Sequence, residues 1–418
     1  MNRVPDAPEP VGHRQRWINR TVIGIVAATL FSDFSHEMCT AILPLYLTSI
    51  GLGAAALGVI EGVADFLVSL SKLGGGVLGH HLRYKRPWAS VGYLMTALAT
   101  AGMGLVRGLT ALVSLRSIAW IARGYRGPLR DDMLADAVEK THFGRAYGLE
   151  RAGDMLGAVA GPLVATLLVW LGFEFRTIIL WTAVPGVVAA GAMYFLVRER
   201  PPRAGISSQP AAKDNSARGR PKFPPAFRLV LIGVFVFGLG DFSRTFLILL
   251  AAGGLGESGS HAAGTLSVAV LLYALHNFVS ATAAYPIGRL GDRRPRLSVL
   301  TAGYALGAGT NLLLAFSNNS LGLLVPAILL SAVYIAVEET MEKAAVAEIL
   351  PRELRSLGFG ILAGTNAVGD MISSLYVGFL LDAGRPHLAF GIPTAFGTAG
   401  TAWLLWLKSR PMARPGSA

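Results

Sequence analysis

Asp33, His36, Glu37 and Thr40 stand at i, i+3, i+4 and i+7 of one apolar stretch, so on a helix they share a face. Pro44 falls on the same stripe, and Met38 and Cys39 lie on its flanks. Two carboxylates and an imidazole so arranged suit three kinds of chemistry. They can take up and release a proton, because burial penalises a carboxylate's charged form. Asp33, His36 and Glu37 can ligate a divalent transition metal, for which imidazole and carboxylate are suitable donors. Or they can form a hydrogen-bonded polar seam between helices. The spacing leaves all three open.

The same device recurs along the chain. Glu61, Asp65 and Lys72 share a second helical face, suited equally to an ion pair or a substrate contact. Arg116, Arg123, Arg126 and Arg130 form a broad basic stripe, and Glu150, Arg151 and Asp154 follow. Asp241 and Arg244 are three apart; His276, Asn277, Asn366 and Asp370 complete the set. An ionisable side chain at mid-bilayer costs about 2.5–3.5 kcal/mol on insertion scales, so its default reading is functional. A lone histidine such as His276 also fits a plain hydrogen-bonded helix residue, and His80, His81 and His261 fall in or near loops.

A bilayer is where these residues must be positioned. Of 418 residues, 53% are hydrophobic and 15% charged, against roughly 25% charged in soluble proteins. Mean hydropathy is +0.52. Glycine is abundant, with 50 residues, as suits transmembrane helices that pack closely. Windows long enough to span fall at 21–48, 54–80, 88–106, 109–135, 145–172, 177–197, 229–252, 262–288, 297–317, 321–348, 357–381 and 388–407. The expectation is an all-α polytopic membrane protein with twelve transmembrane helices in two pseudo-symmetric six-helix bundles. The N-terminal tail covers 1–20, the bundles 21–197 and 229–407, and the C-terminal tail 408–418. The Pro- and Arg-rich segment 198–228 reads as a linker.

Basic residues set the orientation. Of 37 Lys and Arg, only Arg107, Arg176 and Arg385 fall in loops on one side. Eight lie within spans, and the rest crowd into the tails, linker and loops of the other side, which is therefore expected to be cytoplasmic with both termini. That placement accounts for the net charge of +12 without nucleic acid. The single Cys39 excludes an internal disulfide, and no signal peptide is expected. No P-loop, nucleophile elbow, zincin or EF-hand pattern occurs, so neither enzyme nor cofactor is expected.

The halves echo one another. Ser32-Asp33-Phe34-Ser35 matches Gly240-Asp241-Phe242-Ser243, and aligning Gly148 with Gly360 sets Asp154 on Asn366, Gly157 on Gly369 and Asp136 on Glu348. Internal repeats around a central linker are a transporter signature, with the site at mid-membrane between them. The same register sets Arg126 on Glu338 and Arg130 on Glu342. Opposite charges in one register suggest pairs across a shared gate, or pairing within each half as with Arg151 and Asp154.

With these features the chain resembles the major facilitator superfamily over nearly its whole length. That family's loop pattern G-x-x-x-D-R-x-G-R-R is matched by Gly288-Arg-Leu-Gly-Asp292-Arg293-Arg-Pro-Arg296, with Pro295 replacing the second glycine. In the first half Gly76 begins the pattern, but His80 and His81 stand where Asp and Arg belong. Arg123-Gly-Tyr-Arg126-Gly127 is similar to the R-x-x-Q-G motif, and the resemblance implies that Arg123 takes part in proton transfer. Gly153, Gly157, Gly161 and Pro162 look like the antiporter motif of exporters. Phe143–Asp154 and Asp33–Met38 look like a bacterial exporter branch near nickel-resistance exporters, without their histidine-rich tail.

The resemblance implies a monomeric, proton-coupled exporter of the bacterial inner membrane, with a small polar or ionic solute as substrate and a divalent transition metal as its sharpest form. A multidrug antiporter and a non-transporting receptor or assembly protein are the alternatives. The proton and substrate candidates are Asp33, His36, Glu37, Glu61, Asp65, Arg123, Asp154, Asp241, Arg244, His276 and Asn366. The gate candidates are Arg126, Arg130, Glu338, Glu342, Gly288, Asp292, Arg293 and Arg296.

Overall fold

The computed structural model describes residues 17–52, 54–199, 223–242, 246, 262–317 and 320–409. Among them the chain forms twelve helices and no strand. The first half contains α1 (Arg20–Ser49), α2 (Ala54–His81), α3 (Arg86–Gly102), α4 (Leu109–Ala137), α5 (Phe143–Trp170) and α6 (Phe175–Leu196). The second contains α7 (Pro225–Gly238), α8 (Ala262–Arg293), α9 (Arg296–Ala315), α10 (Leu321–Ile349), α11 (Arg355–Asp382) and α12 (Pro386–Ser409). By length and composition alone, α1, α5, α6, α9, α10 and α12 are each able to cross a membrane. Most of the linker and both tails lie outside the described residues.

In the first half α1 packs along α5 and α6, and α4 along α2 and α3. The seam between α1 and α5 rests on small residues. A Cβ on Gly153 would meet Val26, one on Gly157 would fall on the backbone of Leu30 and Phe34, and one on Gly161 on Phe34 and Met38. Glycines every four residues thus let two helix backbones touch, as a small-residue seam permits.

The repeat is visible in the backbone. α5 and α11 end alike: Gly172 and Gly384 have φ of 84° and 68°, a region that costs residues with a Cβ and suits glycine. In each, the glycine N–H and the next N–H bond back to the helix's last turn, Phe173 to Leu168 and Arg385 to Leu380, which satisfies orphan carbonyls.

The second half departs from a continuous seventh span. α7 stops at Gly238, and the chain turns through Leu239 and Gly240 before Asp241. The freed carbonyls are taken by side chains: Asn311 Nδ2 donates to Gly240 O at 3.0 Å, Tyr376 OH to Leu239 O at 2.6 Å and Ser373 Oγ to Asp241 O at 2.5 Å. Such a break is tolerated at membrane depth only where neighbouring groups satisfy the backbone. Gly240 and Gly369 allow it, because a Cβ on Gly240 would fall 2.5 Å from Pro393 O and one on Gly369 2.7 Å from the backbone of Gly238.

The halves meet at the end where α1 begins and α6 finishes, termed here the linker end. α2 packs on α11 and α5 on α8, through Gly76 against Gly360 and Gly144 and Gly148 against Gly288. Asp292 in the last turn of α8 accepts from the N–H groups of Gly144 (2.8 Å) and Arg145 (3.1 Å) and from Arg145 Nε (2.8 Å). It therefore caps α5 with a carboxylate where the helix dipole favours one. Arg296 bonds Asp292 (3.4 Å), Glu348 (2.6 Å) and Lys140 O, while Arg293 is exposed.

The matching latch in the first half has no loop aspartate, and α4 supplies carboxylates instead. Asp132 accepts from Ser356 Oγ at 2.6 Å and binds Lys85, and Asp136 pairs with Arg352 at 2.7 Å and Arg355 at 3.3 Å. His80 contributes a ring-nitrogen bond to Glu353 O at 2.8 Å. So α11 begins against acids of α4, as α5 begins against Asp292.

Candidate functional site

Between the halves lies a cavity of about 430 Å³, within the range of small-molecule sites. Its walls come from α1, α2, α4, α5, α8, α10 and α11, together with Asp241 from the break after α7. Of the sequence candidates, Asp33, His36, Glu37, Arg123, Asp154, Asp241, Asn366, Arg126, Arg130, Glu338 and Glu342 line it. Arg244 lies outside the described residues, as do the side chains of Glu61 and Asp65.

On the first-half wall the charges are matched. Asp33 is 3% exposed and forms an ion pair with Arg123. His36 stands edge-on to Trp120 at 4.9 Å, and the guanidiniums of Arg116 and Arg123 lie over that indole at 5.3 and 5.8 Å. Arg126 donates to Ser32 Oγ at 2.6 Å and stacks on Tyr93 at 3.7 Å. Arg130 joins Asp131 at 2.8 Å and Glu150 at 3.0 Å, and Arg151 joins Asp154 at 2.7 Å. Burying so much charge is tolerable because each group is paired.

The metal reading of the α1 stripe does not carry over. Asp33 is committed to Arg123 and His36 packs on an indole between arginines. Among the described residues no group of three or more His, Cys, Asp or Glu is arranged to hold a metal ion.

The expected gate pairs also differ. Arg126 and Arg130 pair within the first half, and Glu342 accepts from Tyr304 (2.5 Å) and Asn366 (2.7 Å) within the second. Beside the cavity, the ion pairs that cross between halves use the next residues round α10. Glu339 meets Arg151 at 3.6 Å, and Lys343 meets Asp131 at 3.8 Å and Glu150 at 3.9 Å. One residue turns a helix about 100°, so Glu338 and Glu342 face their own half while Glu339 and Lys343 face the other. The pairing of Arg130 with Asp131 and of Arg151 with Asp154 is the within-half alternative, whereas Glu339, Lys343 and Asp132 join the halves at positions that the register alone misses. Their signal is the acidic pair beside Arg130 and the Glu–Lys spacing of i, i+4.

On the second-half wall, Asp241 accepts from Tyr334 at 2.7 Å. His276 is buried and bonds Ser331 at 3.2 Å and Asn277 at 3.3 Å, and it is Asn277 that faces the cavity. His276 thus braces α8 against α10 and leaves contact with a solute to its neighbour. Asp154 and Asn366, and Asp33 and Asp241, stand as counterparts on opposite walls.

Comparison with known proteins accords with this geometry. The family model described as Major Facilitator Superfamily matches residues 25–275 and 260–418. An uncharacterised MFS-type transporter of Methanocaldococcus jannaschii is 27% identical over 366 residues, 87% of this chain and 89% of that protein. The multidrug resistance protein MdtH of Aeromonas hydrophila is 28% identical over 375 residues, 85% of this chain and 87% of that one. The crystal structure of the human organic anion transporter MFSD10 superposes with a TM-score of 0.72 at 15% identity, covering 92% of this chain and 99% of that one. That likeness speaks for the fold alone. With two matched six-helix halves, a cavity between them and a family model that spans both, the chain belongs to the major facilitator superfamily, whose members are transporters and not enzymes.

Proposed function

We propose that the chain is a proton-coupled exporter of a small polar or ionic solute, working by alternating access in the bacterial inner membrane with both termini cytoplasmic. One observation carries this reading: Asp33, buried at mid-helix in α1, faces the cavity in an ion pair with Arg123. A carboxylate so held can exchange its arginine for a proton and return, which is what coupling needs. Arg123 holds it as ion-pair partner, and Glu37 stands beside them in the same wall.

The linker end supplies the moving part. Its closure depends on paired charges between halves, and such pairs add little net stability yet are costly to break singly, which suits a switch between two packed states. The glycine seam of α5 against α1 supports export over uptake, because it matches the antiporter motif. The monomer is complete in itself: both halves and the cavity come from one chain.

Multidrug efflux is the second reading, favoured by the likeness to the multidrug resistance protein of Aeromonas hydrophila. The dense charge of both signs in the cavity supports the small polar solute instead. The test uses a strain lacking the gene, complemented with the chain or with Asp33→Asn, and exposed to Ni²⁺, ethidium or chloramphenicol. Protection against one of them that Asp33→Asn loses is the expected result. Full protection by Asp33→Asn overturns coupling through that residue, and no protection against any removes the exporter reading.

A further inference from the structure

The two cavity walls differ in how their charges are satisfied. On the first-half wall Asp33, Asp131, Glu150 and Asp154 each have an arginine partner. Among the described residues of the second-half wall the acids outnumber the bases: Asp241, Glu338, Glu339, Glu342 and Asp370 line the cavity together with Lys343. Glu339 and Lys343 are engaged with each other and with the first half. Glu342 rests on the neutral donors Tyr304 and Asn366.

Glu338 is different. It is 7% exposed, lines the cavity, and among the described residues has neither hydrogen bond nor ion pair. Asp241, Glu339, Glu342 and Asp370 line the same cavity, all of them acids. Asp370, one face away on α11, likewise lacks a partner among the described residues, with Lys72 of α2 its nearest cation. A buried carboxylate ringed by others is costly unless a cation or proton joins it. Among the described residues no partner stands on the protein side, and the cavity is where one can come from.

We propose that the α10–α11 wall is a recognition subsite for an organic cation, with Glu338 as its charge partner and Asp370 and Glu342 beside it. The class is an ammonium, guanidinium or phosphonium head rather than a bare metal. No described group of acids and histidines converges on a metal-sized point, and the cavity of about 430 Å³ is far larger than an ion. Tyr273 of α8 also lines it and can add an aromatic ring to such a head. Opposite it, the first-half wall engages its arginines internally, Arg123, Arg130 and Arg151 with carboxylates and Arg126 with Ser32 and the Tyr93 ring. A cation on Glu338 and a proton on Asp33 would thus occupy different walls of one cavity.

The inference rests on the reading of the cavity as the transport site, and its test separates the two. Purified full-length chain in detergent is titrated with tetraphenylphosphonium, ethidium and spermidine, and with chloramphenicol as a neutral comparison. Binding needs neither gradient nor conformational cycle. Saturable binding of at least one cation is expected, weakened about thirtyfold or more in Glu338→Gln, since leaving a buried charge pair incomplete is costly. Glu338→Asp should retain most of the affinity. Glu174→Gln, exposed before α6 and outside the cavity, controls for loss of a carboxylate elsewhere, and a monodisperse elution profile controls for folding. No saturable binding of any of the three cations, or equal binding by Glu338→Gln, overturns the proposal. Cation binding through Glu338 without transport sinks the exporter reading alone. Transport of a neutral or anionic solute that Glu338→Gln leaves intact sinks this one alone.

Discussion

Replacing Lys343 with methionine should loosen the linker end. The lysine stands 3.8 Å from Asp131 and 3.9 Å from Glu150, both across the divide between halves, and 3.5 Å from Glu339 on its own helix. At an effective dielectric of about 20, each cross-half pair contributes roughly 4 kcal/mol of attraction. Opening returns much of that, because Lys343 regains water and keeps Glu339, while Arg130 still holds both acids. A net of about 2 kcal/mol then remains for the closed state, equivalent to roughly a thirtyfold ratio. The assay is pulsed electron–electron distance measurement between spin labels on exposed Tyr84 and Arg293, one on each half at the linker end, with Cys39 replaced by alanine. Methionine preserves length and apolar contact, so the loss is of charge. The ratio of long to short distances should rise roughly thirtyfold in Lys343→Met and stay near wild type in Lys343→Arg. An unchanged distribution in Lys343→Met would refute the role of these pairs in holding the end closed.

Other consequences follow from the packing. Gly157→Ala places a methyl 2.9 Å from Phe34 N and 3.2 Å from Asp33 Cβ, so it should cost about 1–3 kcal/mol and abolish transport; Gly127→Ala, with open space around it, should leave the melting temperature within error. Tyr376→Phe removes the donor to Leu239 O at the break after α7, and should lower stability by about 1–3 kcal/mol, read as a melting temperature reduced by several degrees. Asp132→Ala frees Ser356 and Lys85 together, and should lengthen the same spin-label distance as Lys343→Met while leaving cation binding in the cavity intact.

Much of the fold was legible because bilayer chemistry is strict: length and apolarity mark spans, and the glycine periodicity of α5 marks the face that meets α1. The correspondence of Gly148 with Gly360 extends in the structure to Gly172 and Gly384, which end their helices in the same way. Asp33, Arg123, Asp154 and Asn366 were legible as cavity residues because charge at membrane depth needs a reason.

The rest depended on how two halves approach, which no single-helix periodicity records. Glu338 and Glu342 were placed at the gate, but the residues that cross are Glu339 and Lys343, one step round the same helix. The first-half latch was similarly hidden. Its loop aspartate is replaced by histidine, and the compensating Asp132 and Asp136 sit on another helix with no fixed spacing to the motif. The break after α7 leaves only a weak trace in sequence, a glycine on each side of Leu239, whereas the donors that make it affordable come from α9 and α11.

The account's central claim is that proton and solute are exchanged through one cavity by way of Asp33. Its most direct test is accumulation of ethidium, Ni²⁺ or chloramphenicol into proteoliposomes of the purified chain, acidic inside, with the membrane potential clamped. The account predicts that wild type concentrates one of them until the pH gradient is collapsed, and that Asp33→Asn does not. Equal, gradient-driven accumulation by Asp33→Asn, or none of the three by wild type, would contradict it.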